Sequence, residues 1–273
     1  MNFVEKLTEA SRENGSLLCV GLDPDPGLIP EGVTVVDFGR AIIEATANLV
    51  CAYKFNFAFY EAMDIAGIEA LKQTLSYVPG GIPVIGDAKR GDIGNTAKAY
   101  AKAIFENYNF DATTVNPYLG FDSIEPFIRY EDKGVFILCR TSNAGATDFQ
   151  SLSCDVKGIN HPLFEVVAQK ANRWNTHGNI GLVIGATYPE ELKVIRQSHP
   201  DMPILIPGVG AQGGDLSSAV RHGVNTEGKL AIINSSRQII YASREQDFAQ
   251  AARHAASELR GQINEYLKLF LQA

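Results

Sequence analysis

No window of this chain approaches the ~18 consecutive apolar residues that would cross a bilayer, and none carries the run of lysine and arginine that binds polyanions. With 24 basic against 31 acidic side chains, the net charge of −7 argues against a broad nucleic-acid-binding face. An anionic small molecule would have to find its positive charge concentrated locally. The four cysteines, Cys19, Cys51, Cys139 and Cys154, are far apart in the sequence with no CxxC pair. Three of them lie in or beside apolar runs and read as small buried hydrophobes, whereas Cys154 lies in a polar stretch as an exposed thiol. The histidines His161, His177, His199, His222 and His254 show no metal-ligand spacing, so structural or solvated roles are expected, and the lone Trp174 reads as packing. No low-complexity tract or Gly/Ser/Pro linker marks a domain boundary. Residues Met1 to Ala10 interleave acids with apolar side chains and lack the hydrophobic core of a signal peptide, so a cytoplasmic location is expected.

What the chain does have is alternation. Short apolar, β-branched runs recur: Leu17 to Asp23, Ala52 to Asn56, Ile82 to Ile85, Asp111 to Val115, Gly134 to Cys139, Ile180 to Ile184, Pro203 to Ile206 and Lys229 to Ile233. Helical patterns separate them. Repeated strand–helix alternation implies a parallel sheet, and eight units in 273 residues fit a (β/α)8 TIM barrel better than an open sheet. A single barrel domain over residues 1–273 is therefore expected, with an N-terminal helix and a long C-terminal helical region from about Arg244 to Leu271. Residues 140–161 read as a long polar loop, a length that is usually functional or mobile.

The third run delivers two acids and two bases within six residues, in Asp87-Ala-Lys-Arg-Gly-Asp92. In an extended strand, residues two apart face the same side, so Asp87 and Lys89 can share one pocket while Ala88 points away. Spacing alone does not say whether Asp92 joins them. An arbitrary charge cluster is most often a solvated turn, and position in the barrel weighs against that here. Asp23, Lys54, Asp87, Lys89, Ser142, Gln212 and Arg237 all lie at the C-terminal ends of strands or just beyond, where barrels carry their chemistry. The loops after the seventh and eighth strands, Gly208 to Gly214 and the segment with Arg237, stand where such barrels bind phosphate. Glycines admit backbone amides to the phosphate oxygens, and arginine offers a charge-assisted donor fork.

On these residues the chain resembles the orotidine 5'-phosphate decarboxylase family. Asp87-Ala-Lys-Arg-Gly-Asp-Ile93 with Thr96 is similar to its signature. Lys54-Phe-Asn56, Thr114-Val-Asn-Pro-Tyr-Leu-Gly120 with Asp122-Ser123, Thr141-Ser-Asn143 and Pro207-Gly-Val-Gly-Ala-Gln-Gly213 follow in order. The Asn-Pro-Tyr-Leu-Gly element and the long fifth loop resemble the longer bacterial branch. The resemblance implies decarboxylation of orotidine 5'-phosphate to uridine 5'-phosphate without metal or cofactor. It implies a charged network of Lys54, Asp87, Lys89 and Asp92, with Lys89 giving the proton to C6. Asp23 would contact the ribose, Ser142 the pyrimidine, and Pro207, Gln212 and Arg237 would line the substrate site with the last two on the phosphate. Asp92, Ile93 and Thr96 would reach into the site of a second subunit, so the resemblance implies a homodimer with shared sites. One departure is local: many relatives have Gly-Arg-Ser where this chain reads Ser236-Arg237-Gln238.

Two other readings compete. A related barrel with an Asp-x-Lys-x-x-Asp motif performs metal-dependent sugar-phosphate decarboxylation or aldol chemistry, but it places an acid at the end of the second strand, where this chain has Lys54. A cation there opposes divalent metal binding. A non-catalytic nucleotide-binding barrel would keep the phosphate residues and have no need of two lysines and two aspartates in one pocket.

Overall fold

The computed structural model describes residues 1–209 and 213–272. Eight parallel strands close a barrel: β1 (Leu18–Leu22), β2 (Ala52–Asn56), β3 (Val84–Arg90), β4 (Ala112–Val115), β5 (Gly134–Arg140), β8 (Ile180–Ile184), β9 (Ile204–Ile206) and β10 (Ala231–Ser235). Closure is made by β1, which pairs with β2 on one side and with β10 on the other. The two remaining strands, β6 (Ser153–Val156) and β7 (Ile159–Pro162), form an antiparallel hairpin outside the barrel.

The inside of the barrel is built in layers. One apolar cluster takes one residue from every barrel strand: Cys19, Ala52, Ile85, Ala112, Phe136, Val183, Leu205 and Ile232. Because side chains alternate along a strand, the residues two further on face inward one layer higher. They include Gly21, Lys54, Asp87, Thr114, Leu138 and Asn234, so the sequence passes from packing to chemistry in a single step of two residues.

The opposite end is plugged by the first helix, Phe3–Asn14. Asn2 and Glu5 form a reciprocal capping box at its start, and Gly15 ends it in the left-handed region at φ 51°. Phe3 and Leu7 join the apolar cluster, and Phe3 meets the Phe136 ring edge-on at 5.6 Å. Gly134 is required beneath it, since a β-carbon there would stand 2.4 Å from the Phe3 ring. Lys6 secures the helix through Asp111 at 2.8 Å, whose carboxylate also accepts the Val84 amide.

A second tie at that end is Arg196, which is 6% exposed. Its guanidinium donates to the carbonyls of His199, Pro200, Met202, Gly223 and Leu230, joining the end of the helix Pro189–Ser198 to the starts of β9 and β10. Burial pushes the guanidinium down to about 10. His199 lies beside it, buried at the end away from the charged strand termini. The C-terminal helix Phe248–Leu271 turns Phe248, Ala252, Ala256, Leu259 and Ile263 inward, and Phe248 stacks on Phe38 of the helix Val35–Thr46 at 5.1 Å.

The third strand carries its charges within itself and runs through Arg90, with a register shift against β4 between Gly86 and Arg90. The helix that follows, Gly94–Lys102, passes into a π-helical turn over Ala103–Asn107. Residues 140–161 are not one irregular loop, since they hold the 3-10 turn Ala144–Asp148 and the β6–β7 hairpin. Among the described residues no helix is long and apolar enough to cross a membrane.

Truncation of Phe3 tests the plug. Phe3→Ala should cost about 3–5 kcal/mol of stability, the range for emptying a buried phenyl site, as read from urea unfolding. Ligand affinity at the far end of the barrel should be unchanged.

Candidate active site

A cavity of about 700 Å3 opens at the C-terminal ends of the strands. One wall is charged. Lys54, 4% exposed on β2, sets its Nζ 3.0 Å from Asp87 Oδ2 and 3.5 Å from Asp23 Oδ1. Lys89 Nζ is 2.6 Å from Asp87 Oδ1. Asp87 thus divides its two oxygens between two ammonium groups. The Thr114 hydroxyl donates to the same Oδ1 at 2.8 Å and accepts the Lys89 amide at 3.0 Å. Lys89 has φ +47°, so its reach toward Asp87 depends on a left-handed residue at the strand bulge as well as on strand alternation.

Burial alone would raise the Asp87 carboxyl. The Lys54 and Lys89 ammoniums, with the hydrogen bonds from Lys89 and Thr114, outweigh it and hold the group well below the usual carboxylate range. For Lys54 burial pulls downward, and the charges of Asp23 and Asp87 with the Asp87 hydrogen bond more than reverse it, so the ammonium is held above the ordinary lysine range. Both groups are therefore charged at neutral pH.

The opposite wall is apolar, with Leu138, Val183 and Leu205 at the cavity floor. Above them stand Thr141, Ser142 and Asn143 at the end of β5. Gln150 clasps this turn, accepting the Thr141 amide through Oε1 and donating Nε2 to Thr141 Oγ1, both at 2.8 Å. Its backbone carbonyl also accepts the Phe164 amide, which closes the neck of the excursion that contains the hairpin. Gly185 on the other side has no side chain because a β-carbon would stand 2.7 Å from Ser142 Cβ. Pro207, Gly208, Ser236 and Arg237 line the remaining end. There the missing side chain of Gly21 leaves room for the Ser236 hydroxyl, 1.9 Å from where its β-carbon would be.

Of the residues singled out from sequence, Asp23, Lys54, Asp87, Lys89, Ser142, Pro207 and Arg237 meet in this cavity. Asp92, Ile93 and Thr96 do not line it; they sit on the loop after β3 and the first turn of the helix Gly94–Lys102. Ile93 is 54% exposed. Gln212 lies outside the described residues. Arg90 turns away from the cavity to pair with Glu61, with its guanidinium over the Tyr100 ring at 5.0 Å. Thr114, Gln150 and Asn234 were missed. Alternation from Ala112 would have found Thr114, whereas nothing local marks Gln150. Among the described residues no three His, Cys, Asp or Glu side chains are grouped to hold a metal ion.

Over nearly its whole length the chain is similar to proteins of one family. A family model described as "Orotidine 5'-phosphate decarboxylase / HUMPS family" matches residues 16–253. The orotidine 5'-phosphate decarboxylase of Dehalococcoides mccartyi strain CBDB1 is 56% identical over 270 residues, covering 99% of this chain and 100% of the relative. That of Ralstonia pickettii strain 12J is 51% identical, covering 97% and 99%. Among solved structures, the OMP decarboxylase of Leishmania donovani superposes with a TM-score of 0.85 at 40% identity, covering 98% of this chain and 100% of the other. A putative orotidine-monophosphate-decarboxylase from Toxoplasma gondii gives 0.91 at 37%, covering 99% and 98%.

The depressed carboxyl of Asp87 predicts a pH signature. A group whose folded value lies below its unfolded one contributes stability that is fully present above the unfolded value, ~3.9 for aspartate, and is lost as pH falls through the folded value. Urea midpoints of the parent and Asp87→Asn should differ by a constant amount from roughly pH 5 to 8, and the difference should shrink only below about pH 4.

Proposed function

The chain belongs to the orotidine 5'-phosphate decarboxylase / HUMPS family, and from that membership and the charged cavity wall we propose that it converts orotidine 5'-phosphate to uridine 5'-phosphate in pyrimidine synthesis. The observation that carries the reading is the Lys54–Asp87–Lys89 array, two buried charges and one half-exposed ammonium fixed at one point of a cavity large enough for a nucleotide.

Loss of carbon dioxide from C6 leaves a vinyl-type carbanion with no adjacent electron sink, so positive charge must already stand where the negative charge develops. The Lys89 ammonium is that charge and then the proton source, transferring its proton to C6 and becoming an amine. Lys54 keeps Asp87 ionised, and Asp87 in turn directs Lys89. With the substrate carboxylate ~4 Å from Asp87, the two like charges repel by about 4 kcal/mol at an effective dielectric near 20, and the repulsion vanishes as carbon dioxide leaves. Fixed positive charge ranks above that repulsion as the source of rate. Ser142 is assigned to the pyrimidine edge, Asp23 to the ribose, and Pro207, Gln212 and Arg237 to the phosphate end, where binding energy closes the site against water.

No metal or cofactor enters this reaction. The sugar-phosphate rival needs an acid at the end of β2, and the ammonium of Lys54 there favours the metal-free chemistry. We further assign Asp92, Ile93 and Thr96 to the site of a second subunit in a homodimer of cytoplasmic enzyme. Support comes from the exposure of Ile93, Tyr118 and Leu119 on two neighbouring loops, which meet where Asn116 donates its amide to the Arg90 carbonyl at 2.8 Å.

Two measurements test these assignments. Turnover of orotidine 5'-phosphate, followed as falling ultraviolet absorbance, should survive exhaustive chelation and should drop at least about a thousandfold in Lys89→Ala. Loss on chelation that magnesium restores would favour the rival. Mixing inactive Lys89→Ala and Asp92→Ala subunits should restore activity, because each heterodimer contains one intact site; absence of recovery despite subunit exchange refutes shared sites.

A further inference from the structure

Thr114 joins the two charged residues of β3 without carrying charge itself. It is 1% exposed, and its hydroxyl accepts the Lys89 backbone N–H at 3.0 Å while donating to Asp87 Oδ1 at 2.8 Å. Both directions are forced. An ionised carboxylate only accepts and a backbone amide only donates, so the one hydroxyl proton must point to Asp87 and a lone pair to Lys89.

The bridge sits where ordinary strand pairing stops. The register between β3 and β4 holds at Ile85–Ala112 and Gly86–Thr113, then shifts, and resumes with Arg90 opposite Val115. Within the gap Lys89 adopts φ +47°, a conformation that side-chain-bearing residues disfavour and that persists only where surroundings hold it. In place of a backbone carbonyl, a side chain from the neighbouring strand receives the Lys89 amide. Beyond the gap the Asn116 amide binds the Arg90 carbonyl at 2.8 Å, and Arg90 is itself anchored by Glu61 and Tyr100. The turn is thus pinned on both sides, and on its inner side the pin is one hydroxyl shared with the carboxylate that receives the Lys89 ammonium at 2.6 Å.

We propose that Thr114 is a positioning residue for the reaction: its hydroxyl locks the Asp87 carboxylate to the left-handed turn of Lys89, so that the ammonium is aimed at the reacting carbon only while this bridge is intact. The measured reaction rests on the decarboxylase reading; the bridge itself does not. Thr114→Val keeps the shape and removes the hydroxyl, and Thr114→Ser keeps the hydroxyl.

Thr114→Val should lower kcat about ten- to a hundredfold, the scale of a small misplacement of a reacting group, with uridine 5'-phosphate affinity changed less than about threefold. Thr114→Ser should return kcat to within about fivefold of the parent. Hydrogen exchange of the Lys89 amide should accelerate at least about tenfold in the valine variant while amides of β5 and β8 stay protected, a readout that needs no turnover. Parent-like kcat in Thr114→Val overturns the proposal. So does a loss that tracks nucleotide affinity and is not recovered by serine, which would mean a merely structural threonine. Should the parent itself show no turnover, the decarboxylase reading fails separately, and the Lys89 amide decides: acceleration supports the bridge and unchanged exchange overturns it.

Discussion

Asp87 holds its carboxylate between two ammonium groups, Oδ2 toward Lys54 at 3.0 Å and Oδ1 toward Lys89 at 2.6 Å, in a position only 8% exposed. Taking the charges of Lys54 and Asp87 from water is costly, and an ion pair in such a place is weak evidence of stability for its own sake. The array persists because each member satisfies another, with Lys54 buried between the carboxylates of Asp23 and Asp87. A lysine and an aspartate kept ionised by one another retain a fixed arrangement when substrate arrives, and preorganised charge of that kind stabilises a developing carbanion.

The barrel supplies this arrangement by layering. One ring of eight small and apolar side chains fills the interior, and the next positions on the same faces carry the polar and charged groups. The apolar ring is therefore the floor on which the charges stand, and closing the far end with Phe3 and Leu7 keeps that floor dry. Arg196 works in the same sense at the same end, satisfying five carbonyls where helix and strand meet without touching the ligand cavity.

Against this rigid wall the facing side is assembled from loops. The turn Thr141 to Asn143 is held by Gln150 from within its own excursion and by close contact with Gly185 from the next loop. Glycines matter here where a neighbour must come close: Gly21 for Ser236 and Gly185 for Ser142. The charged wall is thereby built on strands and the rest of the site on turns, which places the Lys54–Asp87–Lys89 array on the stiffer support.

Much of this was legible in the chain because the strand period is a local property. Alternation predicted eight strands, put Lys54, Asp87 and Arg237 at their C-terminal ends, and separated inward from outward residues without knowledge of any partner. The resemblance of a few segments then named a chemistry, and the family match agreed with it. What alternation leaves undetermined is which residue stands opposite which. Closure of β1 onto both β2 and β10 brings Asp23 to Lys54 and Ser236 to Gly21. The shifted register of β3 on β4 turns Lys89 left-handed and gives its amide to Thr114, and the fold of the excursion carries Gln150 back to Thr141. Those contacts join residues far apart in sequence through register and loop closure, so only the tertiary structure could decide them.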